Sequence, residues 1–205
     1  MSRKEKLSGG EGRCGGKRSA GDRLRDVASN LFYQRGIRAV GVDEIVNETG
    51  VTKPTLYRSY ASKDDLVAAC LRVEADENST FLDDIAAQHP HDPLAQIRAV
   101  VQNLAREMAE PDYRGCALTN AAVEFPERNH PAREVAENCK EKLRGRLTTL
   151  ARELRVENPT QLADGLTLLM EGASMSRHTS GAQGPSAALV ASADALIRSM
   201  VREAA

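Results

Sequence analysis

Apolar residues recur at spacings of three and four along most of this 205-residue chain, and no stretch alternates at the period of two that a half-buried strand requires. Glycine and proline punctuate the pattern. Gly36 and Gly50 end early segments, His89-Pro90-His91-Asp92-Pro93 breaks a long one, and Pro111, Pro126, Pro131, Pro159 and Gly184-Pro185 bound the rest. The pattern predicts an all-α chain of nine helices without a sheet. The chain has no Trp, three Phe and four Tyr, so the core must be built from Leu, Val, Ile, Ala and Met.

The first helix begins at Ser19 or Asp22, either of which can cap, and presents Leu24, Val27, Ala28, Leu31 and Phe32 on one face. A very short helix is expected at about 42–49 with Ile45 and Val46 inward. Gly50 breaks it, and a second short helix follows with Thr52 as cap and Pro54 in its first turn, where proline loses no needed hydrogen bond. Leu56 and Tyr60, four apart, should pack inward. Ser62 caps a long helix to about Gln88, with Asp64 and Asp65 at the positive end of its dipole. Later helices fit about 93–109, 115–125, 131–156, 159–178 and 185–203.

Charge is unevenly divided. Residues 1–63 hold thirteen Lys/Arg against seven Asp/Glu, a net +6, and the remaining residues carry −7. A basic head on an acidic body suits a protein that holds phosphates at one end, although charge alone does not separate this from a basic tail without a partner. Residues 1–18, rich in Gly, Ser and Lys/Arg, read as a mobile arm. No apolar stretch follows the basic N-terminus, and no run approaches the roughly 20 apolar residues of a membrane span, so a cytoplasmic protein is expected. Cys14, Cys70, Cys116 and Cys139 form no CxxC pair and read as small buried residues rather than metal ligands. No cofactor or catalytic group is expected.

Two short helices joined at Val-Asn-Glu-Thr-Gly-Val-Thr, directly after an amphipathic helix, make a helix-turn-helix, whose second helix enters the major groove of DNA. Lys53 and Arg58 can reach phosphates or guanine acceptors. Thr52, Thr55 and Tyr57 offer hydroxyls, and Pro54 an apolar surface for a thymine methyl. Lys63, at a helix N-terminus, can hold a phosphate together with free backbone N–H groups.

The residue string goes further than the shape. Leu31-Phe32-x-x-x-Gly36, Val42-Asp43-Glu44-Ile45, Gly50-Val51-Thr52-Lys53-Pro54-Thr55-Leu56-Tyr57 and Tyr60-x-Ser62-Lys63-Asp64-x-Leu66 closely resemble the DNA-binding domain of the TetR family of bacterial repressors. The resemblance covers residues 23–71, about a quarter of the chain. It implies a homodimeric repressor of double-stranded operator DNA, whose larger C-terminal domain binds a small effector, opens and releases the DNA. It makes Thr52, Lys53, Pro54, Thr55, Tyr57, Arg58 and Lys63 the DNA-contacting set. One departure is Gly41, where the family commonly places a Ser or Thr cap, so the start of that helix stays outside the set. The expected organisation is an arm at 1–18, a helix-turn-helix domain at 19–65 and an effector-binding and dimerisation domain at 66–205.

In the body, the helix at about 159–178 is apolar on most of its circumference. Leu162, Leu166, Leu169, Met170 and Ala173 lie on one side and Gly165, Leu168, Gly172 and Met175 on another, so it needs covering twice. The second cover is expected to be a partner subunit, with Ala188, Leu189, Ala195, Leu196 and Met200 on the companion helix. Cys116, Asn120 and Glu124, spaced by four, share a stripe with Thr119. Glu124 lies near a helix C-terminus, where a carboxylate is electrostatically disfavoured and needs a partner. These four residues are expected to line an effector cavity inside the C-terminal domain, with Tyr113, Phe125, Met108, Met170 and Met175 as walls or core. His130 and His178 read as surface residues. The alternatives are a thiol-based redox or electrophile sensor at Cys116, with Arg114 as the nearby cation, a helical enzyme using Glu124 and a histidine, and a scaffold with a basic tail.

Overall fold

The computed structural model describes residues 19–201, which form nine α-helices and no strand. They are α1 (Ala20–Arg35), α2 (Val42–Thr49), α3 (Lys53–Ser59), α4 (Lys63–Gln88), α5 (Pro93–Ala109), α6 (Ala117–Glu124), α7 (Pro131–Glu153), α8 (Pro159–Ser180) and α9 (Leu189–Met200), with a 3-10 turn at Pro185–Ala188. The arm expected at 1–18 lies outside the described residues, as does Cys14.

Capping chemistry sets most of the boundaries. Ser19 caps α1 by accepting from the Asp22 N–H at 3.1 Å, while Asp22 accepts in return from the Ser19 N–H, so the two candidate caps form one capping box. Gly50, left-handed at φ 67°, closes α2. Ser62 accepts from the Asp65 N–H at 3.0 Å to open α4, and Asp92 and Asn158 cap α5 and α8, each with proline in the first turn.

Two helices are shorter than their apolar pattern suggests. The chain leaves α7 at Glu153, and Arg155 turns into the left-handed region at φ 57°, which brings Val156 back into the core. The segment expected as one helix from 185 begins as a 3-10 turn, and the α-helix starts only at Leu189.

The packing falls into two units. One comprises residues through Asp76 together with Ala117–Glu137, and the other Glu77–Cys116 together with residues from Asn138 on. In the first, Leu24, Ala28 and Phe32 of α1, Ile45 and Val46 of α2, Leu56 of α3 and Leu66, Val67 and Leu71 of α4 are buried, with Leu118 and Ala121 of α6. The packing division thus falls at Asp76/Glu77 rather than at the expected 65/66, because the first half of α4 and all of α6 pack in one unit with α1–α3. The second unit is cored by Ile97, Leu147, Leu150, Leu162 and Leu166 with Ile197 of α9, each burial stabilising by about 1.5–3 kcal/mol.

Cys70 is buried, and burial pushes its thiol up to about 12. Only thiolate is nucleophilic, so Cys70 is expected to resist alkylation by iodoacetamide at neutral pH in the folded protein and to react on unfolding. Mass spectrometry of labelled peptides reads this directly. Rapid native labelling of Cys70 would contradict the packing of α4.

Candidate nucleic-acid interface

The seven-residue α3 is too short to persist alone, so its position rests on tertiary contacts. Leu56 is fully buried beneath it. Just past its end, the half-buried Tyr60 donates its hydroxyl to the Gly21 carbonyl of α1 at 3.0 Å. With Leu56 turned in, the opposite face presents Lys53, Pro54, Tyr57 and Arg58 to solvent, with Thr52 just before it. Tyr57 is 51% exposed, an unusual setting for a large ring in a protein with so few aromatics. Thr55 is half-buried.

Thr52 stands at the cap position but makes no side-chain capping bond. Its hydroxyl instead lies 3.0 Å from that of Thr55, while its carbonyl accepts from the Thr55 and Leu56 N–H groups. Lys53 is held by Asp43 of α2 at 2.6 Å, and that hydrogen bond raises the lysine above its ordinary range. Asp43 of α2 therefore fixes one of the exposed cations of α3. Gly41 begins α2 with no side-chain cap, as its lack of a hydroxyl requires.

Lys63 is placed differently from the expectation. Its ammonium donates to the Ile37 carbonyl at 2.6 Å and lies 5.9 Å from the centre of the Phe32 ring. Burial lowers its pKa despite the nearby carboxylates of Asp64 and Glu124. Expected on a phosphate, this ammonium is directed inward, because the turn after α1 offers an unpaired carbonyl at the N-terminus of α4.

Of the expected stripe, Thr119, Asn120 and Glu124 stand on α6, and Cys116 immediately precedes it. Cys116 belongs to the second unit, where its thiol hydrogen-bonds with Lys140. Burial opposes the charge on Lys140, but Cys116 and a salt bridge to Glu171 outweigh it and raise its pKa. Thr119, Asn120 and Glu124 lie in the first unit. Asn120 and Glu124 line a cleft of about 30 Å3 with Ser29, Phe32, Tyr33 and Glu74. That is room for about one water, and its other walls are α1 and α4 rather than helices of the C-terminal body.

The Glu124 carboxylate is also occupied, accepting from the Ile37 N–H at 2.9 Å and the Arg38 N–H at 2.8 Å. Of the expected cavity wall, Asn120 and Glu124 share this cleft within the first unit. Alpha6 is short, and burying Leu118 and Ala121 turns its C-terminal carboxylate toward the turn after α1. His130, expected at the surface, stacks on Phe125 with ring centres 3.8 Å apart. Met108 and Met170 are core, whereas Met175 is exposed.

Sequence reasoning missed Lys140, Asp43 and the amides of Ile37 and Arg38 as partners. Lys140 stands 24 positions beyond Cys116 and the turn stands 87 before Glu124, so no local spacing reveals either. The misplaced carboxylate at the end of α6 was the available signal, and it pointed to a partner without identifying one. Among the described residues no cluster of three or more His, Cys, Asp or Glu is arranged to hold a metal, and no helix is long and apolar enough to cross a membrane.

Comparison with known proteins agrees with this geometry. Residues 24–70 match the family of bacterial regulatory proteins of the tetR type, and residues 93–193 match the tetracyclin repressor-like C-terminal domain. Over 76 residues the chain is 41% identical to the HTH-type transcriptional activator FasR of Mycolicibacterium smegmatis, covering 33% of this chain and 35% of that one. Over 74 residues it is 34% identical to the HTH-type transcriptional repressor KstR2 of Rhodococcus jostii, covering 36% and 33%. These matches thus span about a third of each relative. The crystal structure of a TetR-family transcriptional regulator from Streptomyces coelicolor superimposes with a TM-score of 0.83 at 27% identity, covering 89% of this chain and 96% of that one. A helix-turn-helix with a cationic, aromatic outer face and two successive family matches make the chain a DNA-binding transcriptional regulator, not an enzyme, and a member of the TetR family.

Proposed function

We propose that the chain is a cytoplasmic, homodimeric repressor that reads an inverted-repeat operator with α3 and leaves it when a small effector binds the C-terminal domain. The observation that carries the reading role is the solvent face of α3, where Lys53, Pro54, Tyr57 and Arg58 project opposite the buried Leu56. Thr52 and Thr55 add hydroxyls at the N-terminal end of the helix, nearest the base edges in a major-groove docking. Lys63 acts from behind, through the turn it holds, rather than on a phosphate.

Two-fold symmetry is supported by α8 and α9. Leu168 is 72% exposed and Met175 56% exposed, and a Cβ at the intervening Gly172 would meet nothing within 4 Å. Ala188, Ala191 and Ala195 form an exposed small-residue face beside them. Gly165 does not belong to this face, because its Cβ would lie 2.8 Å from Leu196 of the same chain. Its role is the close approach of α8 and α9 within one protomer.

A noncovalent effector is favoured over thiol sensing because Lys140, the cation against Cys116, already serves Glu171. The relatives include an activator and a repressor, and repression is the simpler consequence of occupying an operator.

Base reading by α3 is tested by substitution. Lys53→Ala and Tyr57→Ala are each expected to cost about 1–3 kcal/mol on the preferred operator and to relax preference at particular base pairs. Competition binding with single-base operator variants measures this. Equal losses on every duplex would place these side chains on phosphates and remove α3 from the reading role.

A further inference from the structure

We infer that Glu124 is a positioning residue for operator binding, acting from α6 on the turn that joins α1 to α2. The inference rests on the DNA-binding role of α3 but concerns a residue outside the DNA-contacting face.

The turn at residues 36–41 is gripped through its backbone. Gly36, at φ 89°, directs the next two amides outward, and a Cβ there would stand 3.5 Å from the Glu124 carboxylate. Glu124 accepts from both amides, one per oxygen, and Lys63 of α4 donates to the Ile37 carbonyl between them. Two helices thus clamp one peptide unit from opposite polar ends. Around this clamp, the Arg38 guanidinium lies 5.6 Å from the Phe125 ring centre, and Phe125 stacks on His130. His130 accepts at Nδ1 from the Ala132 N–H at 3.2 Å, and its Nε2 stands 3.5 Å from Asp64 at the start of α4.

The clamp is built against local preference. A carboxylate at the last residue of α6 faces the negative end of its helix dipole. It is held there by two charge-assisted bonds from backbone N–H groups, which are roughly twice as strong as neutral ones. Ile37 is buried, so without Glu124 its amide would lose its partner in a place water does not easily reach.

The turn leads directly into α2. From α2, Glu44 pairs with Arg35 of α1 and Asp43 holds Lys53 of α3. The geometry of peptide 37–38 therefore sets where α2 stands, and through Asp43 and the helix-turn-helix packing it sets the presentation of α3. Alpha6 becomes a handle on the reading helix. Whatever shifts α6 lengthens two short hydrogen bonds at the entry to α2.

The test uses the full chain and a duplex selected by the wild-type protein. Glu124→Gln keeps one acceptor oxygen and loses the charge. It is expected to weaken operator binding about 10-fold, within the range typical of coupling between sites. Three further readouts separate positioning from contact and from simple destabilisation. The slope of log K against log salt should stay at the wild-type value, since no phosphate contact is lost. The operator-to-random ratio should fall, whereas partial unfolding would lower both affinities together. Amide hydrogen exchange should accelerate at Ile37 and Arg38.

Wild-type operator affinity in Glu124→Gln despite accelerated exchange at those amides would overturn the inference, and so would a shallower salt slope. Should Glu124→Gln fail to fold, Glu124→Asp, which keeps both oxygens but is one methylene shorter, carries the same readouts. A wild-type protein that selects no duplex would instead sink the DNA-binding role itself, which keeps the two failures distinct.

Discussion

Gly172→Leu is expected to convert the protein to monomers at low concentration while leaving the protomer folded. The position is exposed on α8, and a Cβ there would meet nothing within 4 Å, so a single chain accommodates the leucine freely. In a dimer closed across Leu168 and Met175, the same side chain separates two helices that approach through a glycine. Overpacking of that kind typically costs about 1–3 kcal/mol, and two-fold symmetry imposes it twice. Leu168→Glu should have the same consequence by desolvating a carboxylate at the centre of the contact. Sedimentation velocity reads the oligomeric state, and thermal unfolding reads protomer integrity. Operator affinity should fall in proportion to lost dimer, because each half-site then binds independently. A Gly172→Leu protein that remains fully dimeric would move the interface off this face. Gly165→Leu provides the contrast, since its clash with Leu196 lies within the protomer and should lower the unfolding temperature.

The second large effect is expected at Leu56. Its side chain is fully buried, and it anchors a helix of only seven residues that cannot persist without it. Leu56→Ala removes the buried side chain and leaves a cavity, which typically costs about 2–5 kcal/mol. The loss should be local. Hydrogen exchange should accelerate through α2 and α3, while amides near Leu147, Leu162 and Leu166 in the second unit keep their protection. Operator binding should be lost by two orders of magnitude or more, on the order of what a few kcal/mol implies. Retained protection in α3 of the variant would mean that contacts other than Leu56 hold the reading helix.

The helices were largely legible because their determinants are local. Capping by Ser19 and Ser62, proline at 93 and 159 and glycine at 50 act within a turn or two of where they stand, and the chain obeys them. The orientation of α3 was legible for the same reason, with Leu56 inward and Lys53, Tyr57 and Arg58 outward. Long-range polar pairings were not. Lys63 has the composition and helix-start location of a phosphate ligand, and only the fold shows that a carbonyl 26 residues earlier claims its ammonium. Glu124 was recognised as a charge in an unfavourable place, yet its partners are backbone amides, which carry no residue-type signature. Cys116 and Glu124 share a helical stripe by spacing but belong to different packing units, because the division falls between Cys116 and Ala117. Periodicity assigns a face, and it does not say what the face meets.

Selection of random duplexes on the purified full-length protein tests the central claim most directly. A dimer that reads DNA with one α3 per subunit must recover an inverted repeat, with half-site centres about one helical turn, 10–10.5 base pairs, or a multiple of it apart. Binding to that sequence should exceed binding to random duplex by 10^3-fold or more, on the order of a specific protein–DNA complex, at physiological salt. Recovery of an unsymmetrical site, or of no enriched sequence above the salt-dependent background, would contradict the account of a two-fold repressor reading its operator through α3.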